Sequence, residues 1–198
     1  MSTTEKERMP LVAALEVLRS LRDQQIVLTT MGAAREWPKL SQHALDLHYI
    51  PSAMGGAPPL GLGLALAKPK CEVIVINGDG AMLMNLGSLV TIVASGAMNL
   101  TVVVLDNGVY EVTGGQKTAA AAAHAPVDLA AMAAAAGIPS VRRYQDLETW
   151  RREAPQVVAM PGPRFIVLSV DPVAEYQLKS PGPMAQRLDA FRAALAGI

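Results

Sequence analysis

The sequence predicts a three-layer α/β/α domain around a mainly parallel central sheet. Short apolar or β-branched runs alternate along the chain with longer segments of helical spacing, the order expected of a parallel α/β sheet. Residues 73–76 and 100–105 are the most apolar runs, and such runs are typical of strands buried on both faces of a sheet. A length of 198 residues suits one domain, which we expect to span residues 1–198.

The elements follow from hydrophobic periodicity and from turn residues, taken in order. We expect strands over residues 25–30, 47–50, 73–76, 100–105, 141–144 and 165–170. We expect helices over residues 10–21, 58–68, 82–94, 128–136, 147–158 and 184–196. Gly61 and Gly63 would let the second helix pack closely against a neighbouring backbone, and Asp128 can cap the fourth. Residues 108–118 are expected to form a loop, while the alanine tract at 119–125 is compatible with a helix or a flexible connection.

Charge and cysteine content exclude several classes of protein. Seventeen basic residues balance seventeen acidic ones, so no overall field favours nucleic acid or an anionic membrane as a partner. The single cysteine, Cys71, excludes a disulfide within the chain, and we expect it to be a buried, inert thiol. The uncharged stretch 81–105 is long enough to span a bilayer, but polar residues interrupt it, and we expect a buried helix and strand. With a polar N-terminus at residues 1–8, a soluble cytoplasmic protein is expected.

Two polar clusters follow the two most apolar strands. Gly78-Asp79-Gly80 comes after the first strand, and Asp106-Asn107 comes after the second. Ligands bind beyond the carboxyl ends of parallel strands, where glycines permit a close approach of backbone to phosphate. The carboxylate of Asp79 and the amide oxygen of Asn107 are hard ligands that suit magnesium. Each cluster alone could be an ordinary strand-to-helix turn, but the two together predict a magnesium–diphosphate site.

This pattern resembles the thiamine-diphosphate signature of the decarboxylase and acetolactate-synthase superfamily, in which Gly-Asp-Gly is followed after 25 residues by a pair ending in Asn. The resemblance implies that the metal is bound by Asp79, Asn107 and the backbone carbonyl of Val109. It implies that the diphosphate lies against Gly78, Gly80, Ala81 and Met82. The first residue of the pair is usually Asn; Asp106 stands there, as is common in the sulfopyruvate-decarboxylase branch.

An upstream segment, Ser52-Ala-Met-Gly-Gly, is similar to the segment that contacts the aminopyrimidine ring in this superfamily. The resemblance implies that the carbonyl of Ser52 accepts from the 4'-amino group. It also implies that Met54 is the apolar wedge that bends the cofactor, and a polarisable methionine suits that position. The alternative is that Met54 is an ordinary core residue.

The resemblance extends through most of the chain to the β subunit of sulfopyruvate decarboxylase and the C-terminal part of phosphonopyruvate decarboxylase. It implies a non-oxidative 2-oxo-acid decarboxylase in which carbon dioxide leaves and an aldehyde is released. Carboligation, the β subunit of a 2-oxo acid oxidoreductase and a non-catalytic cofactor-binding or regulatory subunit remain alternatives. The glutamate that activates the cofactor is expected on a separate pyrimidine-binding subunit, in a hetero-oligomer with at least two copies of each chain.

Three further side chains are candidates for contact with a small 2-oxo acid. His48 precedes the aminopyrimidine segment, although a solvated or core histidine is the alternative. Arg35 could hold a substrate carboxylate through two hydrogen bonds, and a surface ion pair with Glu36 is equally compatible with the sequence. Glu111 stands where the related decarboxylases commonly have glycine. Its carboxylate would repel a sulfonate or phosphonate, which leaves the identity of the substrate open.

Overall fold

A parallel sheet with helices on both faces forms the described part of the chain. The computed structural model describes residues 8–122, 127–173 and 182–198. The described strands are β1 (Ile26–Thr29), β2 (Asp46–His48), β3 (Val73–Gly78), β4 (Leu100–Asp106), β5 (Val109–Tyr110), β6 (Gln116–Lys117), β7 (Ser140–Tyr144) and β8 (Arg164–Ser169). The described helices are α1 (Leu11–Ser20), α2 (Met31–Leu40), α3 (Ala57–Ala67), α4 (Asp79–Leu83), α5 (Gly87–Ser95), α6 (Leu129–Ala135), α7 (Leu147–Ala159) and α8 (Met184–Ala196).

Six of these strands pair in the order β2-β1-β3-β4-β8-β7, and every pairing among them is parallel. All residues of β1 and β8 are buried, and β3 and β4 are buried except at their last residues. Because helices cover both faces, apolar side chains are favoured on either side of the sheet, which explains the continuous apolar runs. The prediction of a mainly parallel sheet is therefore confirmed.

Alternate residues along each strand serve two separate cores. Val75 and Val102 point into one core with helices α3, α5, α6 and α8. Ile76 and Val103 point into the other core with α1, α2 and α7, where the Trp150 indole donates to the backbone carbonyl of Ala14 at 3.1 Å. This division follows from the two-residue period of a strand. The domain thus has the three layers that the sequence predicts.

The expectation of one continuous helix over residues 82–94 is wrong. Helix α4 ends at Leu83 and α5 begins at Gly87. Between them lies a turn with hydrogen bonds between residues three apart, and the side-chain amide of Asn85 donates to the carbonyl oxygen of Gly55 at 3.0 Å. The hydroxyl of Ser88 donates to the carbonyl oxygen of Asn85 at 2.7 Å, which supports the start of α5.

Two other segments differ from expectation. Helix α2 was not expected, because its sequence is polar on average and contains Pro38. Residues 108–118 are not a simple loop, since β5 and β6 pair there as a short antiparallel hairpin. In the alanine tract, Ala119–Ala121 forms one 3-10 turn, and residues 123–125 lie outside the described residues.

The structure also shows where the single cysteine and the uncharged stretch 81–105 lie. Cys71 is half-buried at the edge of a core, so the prediction of a buried thiol is wrong. Residues 81–105 contribute to α4, α5 and β4. In the described ranges, no helix combines the length and the apolar character needed to cross a membrane.

Alanine substitutions at Gly61 and Gly63 form a matched pair that tests the close packing of α3 on the sheet. A Cβ added at Gly61 would lie 2.2 Å from Val75 Cγ2, whereas one added at Gly63 would meet no atom within 4 Å. We expect Gly61→Ala to lower the free energy of unfolding by about 1–3 kcal/mol. Gly63→Ala should raise it by up to about 1 kcal/mol, because alanine favours a helix over glycine. Urea denaturation measures both, and equal stability of the two variants would contradict the packing described.

Candidate cofactor site

A cavity opens at the carboxyl ends of the central strands. It is bordered by the first turn of α2, which comes after β1, by residues at the ends of β3 and β4, and by Met54 from the connection between β2 and α3. The lining comprises Leu11, Met31, Gly32, Ala33, Met54, Gly78, Asp79, Gly80, Ala81, Leu105, Asn107, Val109, Tyr110, Glu111, Val112 and Thr113. This is the edge of a parallel sheet at which ligands bind, because successive strand ends converge there.

Asp79 is a buried carboxylate at the start of α4. The residue is 1% exposed, and Oδ2 accepts a hydrogen bond from the Thr118 hydroxyl at 2.9 Å. Burial raises the pKa of Asp79 to about 6, and the charge of Asp106 acts in the same direction. The bond from Thr118 opposes this rise but does not cancel it. Among the described residues, no ion pair involves Asp79, so a bound cation would relieve the cost of its charge.

Asn107 reaches the same edge because Gly78 pairs with Leu105 in the register of β3 and β4. Its side-chain oxygen accepts from the backbone N–H of Val109 at 3.0 Å, which fixes the turn after β4. The guanidinium of Arg8 donates to the backbone carbonyl of Asn107 at 2.7 Å and holds the same turn from outside.

The donors at this edge fit magnesium and a diphosphate. One carboxylate, one amide oxygen and one backbone carbonyl are hard ligands, and magnesium completes such a set with phosphate oxygens and water. In the part of the chain that the structure describes, no group of three or more His, Cys, Asp and Glu side chains is placed to hold a metal. The proposed magnesium ligands are compatible with this finding, because Asp79 is the only His, Cys, Asp or Glu among them.

Gly80 is required by a close contact. A Cβ at this position would lie 2.4 Å from Cε1 of Tyr110, so the aromatic ring packs directly on the glycine. Tyr110 belongs to β5 of the short hairpin, and the N–H of Thr118 at the other end of this hairpin donates to the carbonyl oxygen of Gly108 at 2.9 Å. The hairpin therefore carries both the ring on Gly80 and the hydroxyl on Asp79.

Met54 is not a core residue. It is 44% exposed and lines the cavity together with Asp79, so the alternative of ordinary core packing is wrong. Gly55, in the left-handed conformation at φ +82°, and its bond from Asn85 hold the segment in place. Ser52 is half-buried in this segment and does not line the cavity.

The three candidate substrate contacts lie in different surroundings. Glu111 lines the cavity, and its Oε1 accepts from the backbone N–H of Val173 at 2.7 Å. His48 lies outside the lining with Nδ1 2.9 Å from the Thr29 hydroxyl, and burial lowers the pKa of His48. Arg35 also lies outside the lining and pairs with Glu36 at 2.5 Å. That pair is buried rather than on the surface, with side chains 8% and 10% exposed.

Sequence reasoning missed Thr118, Tyr110 and Arg8 as parts of the site. Thr118 lies 39 positions after Asp79, and Arg8 lies 99 positions before Asn107. No spacing rule links such residues, because the hairpin and the first segment of the chain bring them together. The sequence contained one indication of the hairpin, the two adjacent glycines Gly114 and Gly115, which are typical of a tight turn.

The fold and the site define a class of cofactor-binding α/β/α domains with a buried carboxylate at the carboxyl edge of a parallel sheet. Residues 26–168 match the family described as thiamine pyrophosphate enzyme, C-terminal TPP binding domain. The chain belongs to this family.

Two curated relatives support the same assignment. The phosphonopyruvate decarboxylase of Streptomyces viridochromogenes is 40% identical over 187 residues, which are 91% of this chain and 45% of that protein. The sulfopyruvate decarboxylase subunit beta of Methanothermobacter thermautotrophicus is 36% identical over 162 residues, 81% of this chain and 82% of that subunit. The chain therefore spans less than half the length of the phosphonopyruvate decarboxylases but most of the sulfopyruvate decarboxylase subunit.

A solved structure shares the fold. The crystal structure of benzoylformate decarboxylase from Polynucleobacter necessarius superimposes with a TM-score of 0.67 at 19% identity, over 86% of this chain and 35% of that one. At this identity the likeness establishes the architecture alone.

Asp79→Asn tests the cost of the buried carboxylate. The pKa of Asp79 is about 6 in the folded chain against an ordinary 3.8. The folded state then holds its proton more tightly, so the wild type loses stability as the pH rises from about 4 through about 6. Without added metal, we expect Asp79→Asn to be more stable than wild type by about 1–3 kcal/mol at pH 8.

Urea denaturation at several pH values, with a chelator present, measures this difference, and we expect it to shrink towards pH 4. Asp189→Asn is the matched control, because Asp189 is exposed on α8. Its effect should stay within about 0.5 kcal/mol at every pH. A stability difference for Asp79→Asn that does not change with pH would contradict the raised pKa.

Proposed function

We propose that this chain is the thiamine-diphosphate- and Mg²⁺-binding subunit of a non-oxidative 2-oxo-acid decarboxylase of the sulfopyruvate and phosphonopyruvate type. The observation that carries the proposal is the convergence of Asp79 and Asn107 in one cavity with Met54. Membership of the family and the names of the relatives support the same reading. We further propose that residues 1–198 act as one pyrophosphate-binding domain of a cytoplasmic enzyme.

Each part of the cofactor would be held by different residues of this chain. Mg²⁺ would be bound by Asp79, Asn107 and the backbone carbonyl of Val109. The diphosphate would lie against Gly78, Gly80, Ala81 and Met82. Ser52 and Met54 would contact the aminopyrimidine and thiazolium end, where the half-exposed thioether is free to lie against a ring.

Thiamine diphosphate, when bound, supplies the electron sink that allows carbon dioxide to leave a 2-oxo acid. The residues of this chain position the cofactor and control its surroundings. The Thr118 hydroxyl donates to Oδ2 of Asp79 and so orients the carboxylate that would bind the metal. Leu11, Met31 and Val112 give the cavity an apolar wall, and a water-poor wall strengthens the electrostatic contacts within it.

The activating glutamate would come from a separate pyrimidine-binding subunit. Three sulfopyruvate decarboxylase relatives carry the name subunit beta, which supports a hetero-oligomer. Exposed apolar side chains on α3, on α5 and between α4 and α5 suit such a contact, since Leu60, Val90 and Met84 are 36%, 60% and 47% exposed. We propose that the assembly holds at least two copies of each chain.

Calorimetry with thiamine diphosphate tests the cofactor assignment. Wild type should bind the cofactor in the presence of Mg²⁺ and lose that binding when a chelator removes the metal. Asp79→Ala should abolish the Mg²⁺-dependent binding, whereas Asp189→Ala should not change it. Mg²⁺-dependent binding of thiamine diphosphate by Asp79→Ala would refute the assignment of Asp79 as a magnesium ligand.

The partner proposal has its own assay. The complex that co-purifies with this chain should convert 2-oxo acids to carbon dioxide and aldehydes, whereas the isolated chain should not. Turnover by the isolated chain at the rate of the complex would show that no partner is needed.

Thr118→Val tests whether the hydroxyl positions Asp79. We expect the variant to need about tenfold more Mg²⁺ for half-maximal cofactor binding, because residues that orient a ligand contribute to metal affinity in this range. Thr118→Ser keeps the hydroxyl and should restore the wild-type requirement. The measurement is a Mg²⁺ titration at saturating thiamine diphosphate, and a wild-type response of the valine variant would refute the role.

A further inference from the structure

The cavity beside Asp79 contains a second carboxylate and no basic side chain from its described lining. The lining residues with ionisable side chains are Asp79, Tyr110 and Glu111. Among the described residues, no ion pair neutralises Glu111. The lining residues that the structure describes therefore contribute only negative side-chain charge to the cavity.

Glu111 is held in the wall of the cavity. Its Oε1 accepts from the backbone N–H of Val173, in the segment after β8, at 2.7 Å. On its other side, a Cβ added at Gly32 would lie 3.0 Å from Oε2, so the carboxylate lies closely against the first turn of α2. The carboxylate is thus fixed at the border of the cavity, between the end of β1 and the end of β8.

The surroundings of Glu111 within the lining are apolar. Leu11, Met31 and Val112 contribute hydrocarbon or thioether surface to the same cavity. A charge beside apolar surface is screened less than one in open water, so a second negative charge nearby would be repelled more strongly. An uncharged substituent would meet favourable apolar contacts there instead.

We infer that Glu111 is a specificity-determining residue that selects against 2-oxo acids with a second anionic group. The preferred substrate class is 2-oxo acids with an uncharged substituent on the third carbon. This inference rests on the proposed decarboxylase function. The relatives are named for phosphonopyruvate and sulfopyruvate, whose third carbon carries an anionic group. Rejection of such a group by a like charge is an effective way to separate two closely similar substrates.

Glu111→Gln separates the charge from the hydrogen bond. The amide oxygen of glutamine can still accept from the N–H of Val173, so the segments remain joined while the negative charge is removed. A purely structural role for Glu111 would leave the choice of substrate unchanged in this variant. Glu148→Gln is the matched control, because Glu148 lies on α7 with its side chain 76% exposed.

The experiment uses the complex that co-purifies with the tagged chain, loaded with thiamine diphosphate and Mg²⁺. It measures kcat/KM for 2-oxobutanoate and for phosphonopyruvate. The wild type should prefer 2-oxobutanoate. Glu111→Gln should raise kcat/KM for phosphonopyruvate by about tenfold or more, since the removal of a like charge favours an anionic substrate. The ratio of the two kcat/KM values should therefore shift towards phosphonopyruvate in Glu111→Gln, and Glu148→Gln should match wild type on both substrates.

Two results would overturn the inference. One is a wild type that prefers phosphonopyruvate, and the other is an unchanged ratio of the two kcat/KM values in Glu111→Gln. An unchanged ratio together with tighter binding of thiamine diphosphate by Glu111→Gln would place the carboxylate against the cofactor. If calorimetry shows no cofactor binding by wild type, the proposed function fails as well. If wild type binds the cofactor but Glu111→Gln does not change the ratio of the two kcat/KM values, only the specificity role of Glu111 is refuted and the proposed function stands.

Discussion

The burial of one carboxylate, Asp79, at the end of a central strand constrains the whole carboxyl edge of the sheet. A buried acid without a cationic partner among the described residues is costly, and the same burial raises the pKa of Asp79. The hairpin of β5 and β6 folds back so that Thr118 can donate to the acid, and this fold brings Tyr110 onto Gly80. The hydrogen-bonded acid and the glycine are therefore two consequences of one local arrangement.

The sequence was sufficient for the parts of the fold that depend on the sheet. Strands β3 and β4 are apolar because helices cover both their faces, and this burial is visible in the sequence as a continuous run of apolar residues. The polar residues that follow these strands had to meet, since parallel neighbours end at the same edge. The spacing of Met54 from Asp79 likewise led to a residue that lines the cavity.

The sequence was insufficient where a contact depends on a distant turn or on tertiary packing. The partners of Asp79 and Asn107 come from segments that no local periodicity connects to them. Helix α2 is polar and contains Pro38, so local preferences argue against a helix that packing against the sheet nevertheless stabilises, with Trp37 buried. The break between α4 and α5 escaped prediction because residues 82–94 have a composition that fits an unbroken helix.

That break has a consequence for the thermodynamics of the site. The Asn85 side chain joins the connection between α4 and α5 to the carbonyl of Gly55, next to Met54. One hydrogen bond thus links the segment that carries Met54 to the connection that follows the helix of Asp79. Ordering one of these segments lowers the entropy that remains to be lost at the other, so the two halves of a long ligand should bind with positive cooperativity. The affinity for the whole ligand would then exceed what its separate fragments predict.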